Sequence, residues 1–352
     1  MVKAKIIGAC GYGGVGISEL LHGHPEAEIG VLVDIENAGA KLSDLYPHLS
    51  GHIDTVVVGP DDPQATAPAD VVFMATPDRV GMKLAAAELE KGARIVDYSG
   101  DFRFNDPTAY AEYASRIDLE TTHAAPELLP QAVYGIPELH RDEVTTDTRI
   151  IGNPGCFAVS CIVGLAPAVK EGLLAPASII CDCKTGVSGA GRKPHAVFHY
   201  PARYDMMNAY KLAGHQHVCE IERELGLQAG QDVVVTFTAQ VVPVCRGIMS
   251  TLYGTLTREV TEADVLAIYN TFYAGERFVQ VFPSNAPIGS MHVRGTNGVK
   301  LVISVDQRTN RLRVVSYIDN LVKGQAGSAL QNMNLLFGLE ETAGLDRPGI
   351  YP

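Results

Sequence analysis

The first twenty residues limit the fold more than any other stretch. Lys5-Ile6-Ile7 is a short apolar strand that runs into Gly8-Ala9-Cys10-Gly11-Tyr12-Gly13-Gly14-Val15-Gly16, after which Ile17, Leu20 and Leu21 recur at helical spacing. A strand, a glycine-rich turn and a helix open a βαβ unit. Glycines in such a turn let backbone N–H groups at the helix N-terminus approach a pyrophosphate. Two frames fit, Gly8/Gly11/Gly14 and Gly11/Gly13/Gly16, and a turn without a ligand is the plainer alternative. Gly8, Gly11, Tyr12, Gly13 and Gly14 are therefore candidate dinucleotide contacts.

The pattern continues as a parallel sheet would. Ile29–Val33 ends at Asp34-Ile35-Glu36-Asn37, Asp70–Ala75 ends at Thr76-Pro77, and Ala93–Asp97 ends at Tyr98-Ser99-Gly100-Asp101-Phe102-Arg103, with a helix predicted over Arg79–Gly92. An acidic residue closing the second strand accepts hydrogen bonds from an adenosine ribose and repels a 2′-phosphate, so Asp34 points to NAD unless it only caps its loop. Ligands gather at the carboxyl ends of such strands, which places Ser99, Asp101 and Arg103 near a substrate. Arg103 offers a fork for a carboxylate or phosphate, or a salt bridge to Asp101 or Asp106.

Ile150-Ile151-Gly152-Asn153-Pro154-Gly155-Cys156 is the second informative stretch, an apolar strand stopped by Asn-Pro-Gly and followed by a small, apolar, helix-like run. A sulfur at a helix N-terminus faces unpaired N–H groups and the positive end of the dipole, which favour the thiolate. A small buried hydrophobe is the alternative. Farther on, His217 begins a helical pattern and His215 stands two residues before it. A histidine paired with a cysteine can take its proton and later act as general acid or base. A His-x-His metal site lacks a third ligand of convincing spacing. Thr185–Pro194, with Ser188, Gly189, Arg192 and Lys193, reads as an anion-binding loop or a flexible hairpin. Strands are expected over Ala177–Lys184, Val233–Phe237, Gln240–Ile248 and Leu252–Leu256, and as a hairpin, Lys300–Val305 and Arg311–Ile318. They suggest a mixed or antiparallel sheet whose face can pair with a second subunit.

At 352 residues the chain suits two domains. They are expected at residues 1–150, joined by a C-terminal helix within 324–352, and at residues 151–323. The opening runs straight into a strand and no apolar run nears 18 residues, so neither secretion nor membrane spanning is expected. Seven cysteines without CxxC spacing suit reduced thiols in a cytoplasm. A net charge of −12 argues against nucleic acid or an anionic membrane as partner and leaves any anionic ligand to local donors.

Taken together, the glycine loop, Asp97–Arg103, Tyr134-Gly135-Ile136-Pro137-Glu138-Leu139, Asn153–Cys156, Gly214-His215-Gln216-His217, Val293-Arg294-Gly295-Thr296-Asn297, Asp319-Asn320-Leu321-Val322-Lys323-Gly324 and Gln331-Asn332-Met333-Asn334 follow one another in a telling order. The chain resembles the N-acetyl-gamma-glutamyl-phosphate reductases of arginine biosynthesis over nearly its whole length. The resemblance implies an α/β fold like that of aspartate-semialdehyde dehydrogenase, with a Rossmann-like domain and an α+β catalytic and dimerisation domain built on a mixed sheet. It implies reductive dephosphorylation of an acyl phosphate to a semialdehyde through a Cys156 thioester. His217 would serve as acid/base with His215 in reserve, and NADPH would be the hydride donor.

By the same resemblance Thr76, Gly189 and Asn332 join the cofactor site, and Ser99, Arg103, Asn153, Ser188 and Arg192 bind substrate. A small acyl phosphate and inorganic phosphate are the implied partners, in a homodimer or homotetramer. The chain departs from the family at Cys10, Gly13 and Val159, where threonine is usual, and at Asp34 and Glu36, which stand where Ser/Arg-type residues suit NADP. A carrier-linked aminoadipyl-phosphate reductase of lysine biosynthesis and a non-catalytic nucleotide-binding regulator are the competing readings.

Overall fold

The computed structural model describes residues 1–351. Contacts divide the chain into two compact units, Met1–Gly155 with Gln325–Arg347, and Cys156–Gly324 with the residues from Pro348 on.

The first unit is a parallel sheet in the order β3-β2-β1-β4-β5-β7-β6. Its strands are β1 (Val2–Ile7), β2 (Ala27–Val33), β3 (Val57–Val58), β4 (Val71–Met74), β5 (Arg94–Asp97), β6 (Ala132–Tyr134) and β7 (Ile150–Gly152). Every neighbouring pair is parallel. Central strands covered on both faces should be apolar throughout, and β4, Val-Val-Phe-Met, is buried at all four positions. Helices α1 (Tyr12–His22), α2 (Gly81–Glu90) and α3 (Pro107–Ser115) belong to this unit. Asp106 caps α3 by accepting the N–H groups of Thr108 and Ala109, both at 2.9 Å.

The second unit holds α4 (Cys156–Lys170), α5 (His217–Ala229) and α6 (Glu262–Phe272) on a mixed sheet. The order is β12-β13-β14-β11-β8-β10-β9. The strands are β8 (Ile179–Thr185), β9 (Asn208–Tyr210), β10 (Val235–Val241), β11 (Ile248–Thr255), β12 (Val279–Phe282), β13 (Val299–Asp306) and β14 (Arg311–Ile318). The predicted hairpin is the antiparallel pair β13–β14. Period-two burial runs along β8 and β11. Ile179, Cys181, Cys183, Ile248, Ser250 and Leu252 are buried, whereas Ile180, Asp182, Met249, Thr251 and Tyr253 are half-buried on the other face. α4 packs on the buried face, where the Ser160 hydroxyl bonds those of Ser250 at 2.8 Å and Ser316 at 3.0 Å. The Tyr269 hydroxyl donates to the Gly164 carbonyl at 2.8 Å, tying α6 to α4.

Beyond Gly324 the chain rejoins the first unit through a wider turn, Val322–Ala326, and α7 (Gly327–Leu336). There α7 packs on α1 and β5.

Two expectations change. The strand foreseen from Gln240 to Ile248 is broken: β10 ends at Val241, Pro243 has no N–H for a ladder, and Gly247 turns at φ +114° before β11 begins. Residues 242–247 are a loop. The closing residues, expected with the nucleotide domain, group with the second unit, where the Ile350 N–H donates to the Arg294 carbonyl at 2.9 Å.

Candidate active site

In the first unit the glycine turn joins β1 to α1. Gly8 has φ +80°, and a Cβ there would stand 2.3 Å from the Ala75 carbonyl oxygen; one on Gly14 would stand 2.4 Å from the Gly8 oxygen. The Gly8/Gly11/Gly14 frame is thus the one that lets the turn pack against β4 and α1. Gly11 caps α1 without a side chain, and no acidic residue sits in the first turn, so the N–H groups of Tyr12, Gly13 and Gly14 head an uncapped helix. Asp34 turns toward this loop: one carboxylate oxygen accepts the Cys10 N–H at 3.1 Å and the other the Glu36 N–H at 2.9 Å.

Several buried polar atoms of this unit have no protein partner: Thr76 Oγ1, Tyr98 OH, Asn153 Oδ1, Gln325 Oε1 and Asn332 Oδ1. Buried polar groups are normally satisfied, so such a set fits a missing polar ligand. Thr76, Tyr98 and Asn153 follow β4, β5 and β7, Gln325 precedes α7, and Asn332 lies in its middle. A Cβ on Gly13 would meet both the Gln325 side chain, at 3.0 Å, and the Tyr98 ring, at 3.2 Å. The glycine cradle and these orphaned atoms fit a dinucleotide.

The Asp97–Arg103 segment is knitted to itself. Ser99 donates its hydroxyl and its N–H to one Asp97 oxygen at 2.5 and 2.9 Å. Asp101 accepts the N–H groups of Arg79 and Met82 at 2.8 and 3.0 Å at the head of α2. Arg103 is buried, with Nε donating to the Asn153 carbonyl at 2.8 Å and Nη2 to the Tyr98 carbonyl at 2.7 Å. Through these two bonds the guanidinium holds the Asn-Pro-Gly turn. Asn153 is held as well, its N–H donating to the Asp97 carbonyl at 2.8 Å and its side-chain amide to the Gln325 carbonyl at 3.0 Å. Desolvation pushes the Asp97 carboxyl well above the usual carboxylate range, with Asp101 adding to the rise.

In the second unit Cys156 is the first residue of α4 and half-buried, whereas Phe157–Val169 behind it are all buried. Gly324 lies against it, and a Cβ there would stand 2.7 Å from Cys156 Cβ. The Phe157 ring meets His215 and His217 edge-on, centroids 5.9 and 6.1 Å away. The two histidine rings are 4.7 Å apart. His217 heads α5, and a carboxylate oxygen of Glu220, one turn on and buried, lies 3.9 Å from its Nε2. Burial, and then His217 beside it, depress the His215 pKa to about 2. His215 therefore stays neutral at working pH. Its Nδ1 accepts the His217 N–H at 3.2 Å, which leaves its proton on Nε2. Tyr210 packs on His215 at 5.7 Å, and burial, then the Cys156 and Cys183 thiols, raise its pKa.

Ser188 is buried in the 3₁₀ turn Val187–Ala190 and accepts the Asn320 side-chain N–H at 3.0 Å; Gly189 beside it is exposed. Arg192 is exposed farther along the loop. No group of three or more His, Cys, Asp or Glu among the described residues is placed to hold a metal.

Residues 3–146 match the semialdehyde dehydrogenase NAD-binding domain, and residues 156–320 the semialdehyde dehydrogenase dimerisation domain. The chain is 42% identical over 353 residues, the whole of both chains, to the N-acetyl-gamma-glutamyl-phosphate reductase of Citrifermentans bemidjiense. It is 44% identical to that of Symbiobacterium thermophilum, over 100% of this chain and 99% of the other. The chain belongs to the N-acetyl-gamma-glutamyl-phosphate reductase family. Among solved structures, aspartate semialdehyde dehydrogenase II from Vibrio cholerae superposes with a TM-score of 0.72 at 16% identity, over 96% of this chain and 99% of that one. The Candida albicans aspartate semialdehyde dehydrogenase with NADP gives 0.66 at 18%, over 96% and 98%. The fold is therefore of the aspartate-semialdehyde-dehydrogenase type, a parallel and a mixed sheet, as the resemblance implied.

Sequence reasoning missed three residues of this N-acetyl-gamma-glutamyl-phosphate reductase family member that the structure brings forward. Glu220 was legible as the i+3 neighbour of His217 on one helix face. Tyr210 and Arg246 carried no local signal.

Proposed function

We propose that the chain reduces N-acetyl-gamma-glutamyl phosphate to N-acetylglutamate 5-semialdehyde with release of phosphate, a step of arginine biosynthesis. One observation carries this: Cys156 begins a buried helix, with the His217 imidazole over the adjacent Phe157 ring, in a chain at least 40% identical throughout to reductases of that name.

His217 takes the Cys156 proton, and Glu220 steadies the imidazolium. The thiolate attacks the acyl carbon. Backbone N–H groups at the head of α4 receive the developing oxyanion, and phosphate leaves to give a thioester on Cys156. A nicotinamide dinucleotide, when bound, supplies the hydride that takes this thioester to the aldehyde level. His217 then takes the hydroxyl proton of the thiohemiacetal, the bond between the substrate carbon and Cys156 Sγ breaks, and the aldehyde leaves with Cys156 free as the thiolate. His215, locked neutral, fixes the His217 backbone.

The glycine turn, Thr76, Gln325 and Asn332 hold the dinucleotide. The adenosine end favours NAD(H): the Asp34 carboxylate and Glu36 stand where a 2′-phosphate would need cations, and the anionic Asp34 already lies against the loop. The half-buried sheet face around Thr251, Val302 and Val315 receives a second copy, giving a homodimer or a pair of dimers. The cytoplasm is the proposed compartment, a reading that seven free cysteines support.

The test is phosphate-dependent oxidation of N-acetylglutamate semialdehyde, run in parallel with NAD and NADP. Turnover is expected with NAD preferred, and no reaction with either dinucleotide overturns the assignment.

A further inference from the structure

We infer that Arg246 is an oxyanion anchor for the substrate, an assignment that rests on the Cys156 chemistry above and extends it to a residue on the loop between β10 and β11. Its Nε contacts both oxygens of Asp319, at 2.8 and 2.7 Å. Asp319 is fully buried, and it accepts the N–H groups of Gly295 at 2.6 Å, Leu321 at 2.8 Å and Val322 at 3.1 Å. A carboxylate so fully provided for does not need the remaining donors of the guanidinium. The Nη1 and Nη2 groups have no recorded acceptor among the described residues, and the side chain keeps 28% of its surface exposed. A guanidinium pinned along one edge, with two parallel donors left toward solvent, has the geometry that grips a carboxylate or a phosphoryl group.

The place matches the geometry. The Asp319 carbonyl accepts the Gly324 N–H at 2.9 Å, and Gly324 is the residue packed on Cys156. The neighbouring Asn320 accepts the Gly247 N–H at 2.7 Å and donates to the Ser188 hydroxyl at 3.0 Å. One short loop, Asp319–Gly324, therefore collects Arg246, Ser188 and the nucleophile. A protein of net charge −12 must bind an anion through local cations, and Lys184, a cation of β8, is paired with Asp182 at 2.5 Å.

The phosphoryl group and the α-carboxylate share this chemistry, and the oxidative direction separates them because they arrive on different molecules. Arg246→Lys keeps a cation beside Asp319 and gives up the fork. Its KM for inorganic phosphate, or its KM for the semialdehyde, is expected to rise about 10- to 100-fold, with kcat changed far less. The KM that rises names the group held. Arg246→Ala should show the larger defect, and added guanidinium ion should partly restore affinity.

Unchanged KM values in Arg246→Lys overturn the inference. So does a fall in kcat that tracks a lower melting temperature and does not answer to guanidinium, because it marks a strut. If the wild-type protein does not oxidise the semialdehyde, the reaction assignment is what fails. Arg246 is then judged by calorimetric titration of inorganic phosphate and of N-acetylglutamate into wild type and Arg246→Lys, where equal affinities overturn it.

Discussion

At the scale of single residues, the chemistry depends on keeping neighbouring groups in different protonation states. Cys156 needs a base beside it, yet the two adjacent imidazoles cannot both carry charge in a site this closed. Burial holds His215 neutral, and the proposed base is His217, with a Glu220 oxygen 3.9 Å from its Nε2. Replacing Cys156 by serine should lower the steady-state rate by about 10³-fold or more while dinucleotide binding, followed by fluorescence, persists. His217→Asn should cost about 10²- to 10⁴-fold.

The depressed His215 pKa also has a sign for stability. The folded chain leaves this imidazole unprotonated while the unfolded chain protonates it below its ordinary value of 6.5, so stability is lost as pH falls through that value. Each pH unit below it costs up to about 1.4 kcal/mol from this group alone. Urea unfolding at pH 7 and pH 5.5 checks this, and His215→Gln should flatten the difference. Asp34→Ser should move the NADP/NAD preference toward NADP by about 10-fold or more, read as the ratio of the two kcat/KM values and of the two Kd values. These groups were legible in the sequence because cysteine, histidine and a strand-ending acid each announce a chemistry. Arg246 was not, because nothing in Val241–Ile248 shows that Pro243 and Gly247 lift the arginine out of a strand and onto a loop.

Among the elements, α4 does two jobs. Its first residue is the proposed nucleophile, and its remaining length is a rod buried against the mixed sheet. The Ser160, Ser250 and Ser316 hydroxyls fix its height over β11 and β14. Ser160→Ala should leave two buried hydroxyls short of a partner and cost about 1–3 kcal/mol, seen as a lower denaturation midpoint with kcat nearly intact. Gly324→Ala should act oppositely. A methyl 2.7 Å from Cys156 Cβ displaces the head of α4, so activity should fall by more than stability does. The Asp97–Arg103 segment reads in sequence as a substrate contact or as a structural tie, and the structure supplies a tie to the backbone. Position at a strand end suggested a substrate contact. Two of the guanidinium's nitrogens are instead donated to carbonyls of the chain, so Arg103 shapes the Asn153-Pro154-Gly155 turn that delivers Cys156.

For the molecule as a whole, one sheet has both faces covered and the other does not. In the mixed sheet the alternate residues Thr251, Val302, Val315 and Tyr317 are only half-buried, an apolar surface that a second copy would cover. Val315→Arg should shift the sedimentation coefficient toward the monomer, and an unchanged coefficient would remove that face from the assembly.

The amino-acid order alone determined the parallel sheet, the glycine turn and the start of α4 at Cys156. Each is written in contiguous residues through apolar runs, small residues where backbones meet, and a cysteine after a helix-starting turn. Only the tertiary structure decided that His215 is held neutral, that Arg103 donates to the Tyr98 and Asn153 carbonyls, and that Arg246 pairs with Asp319. Those outcomes depend on burial and on partners tens of residues away, and neither is encoded in any local stretch of the chain.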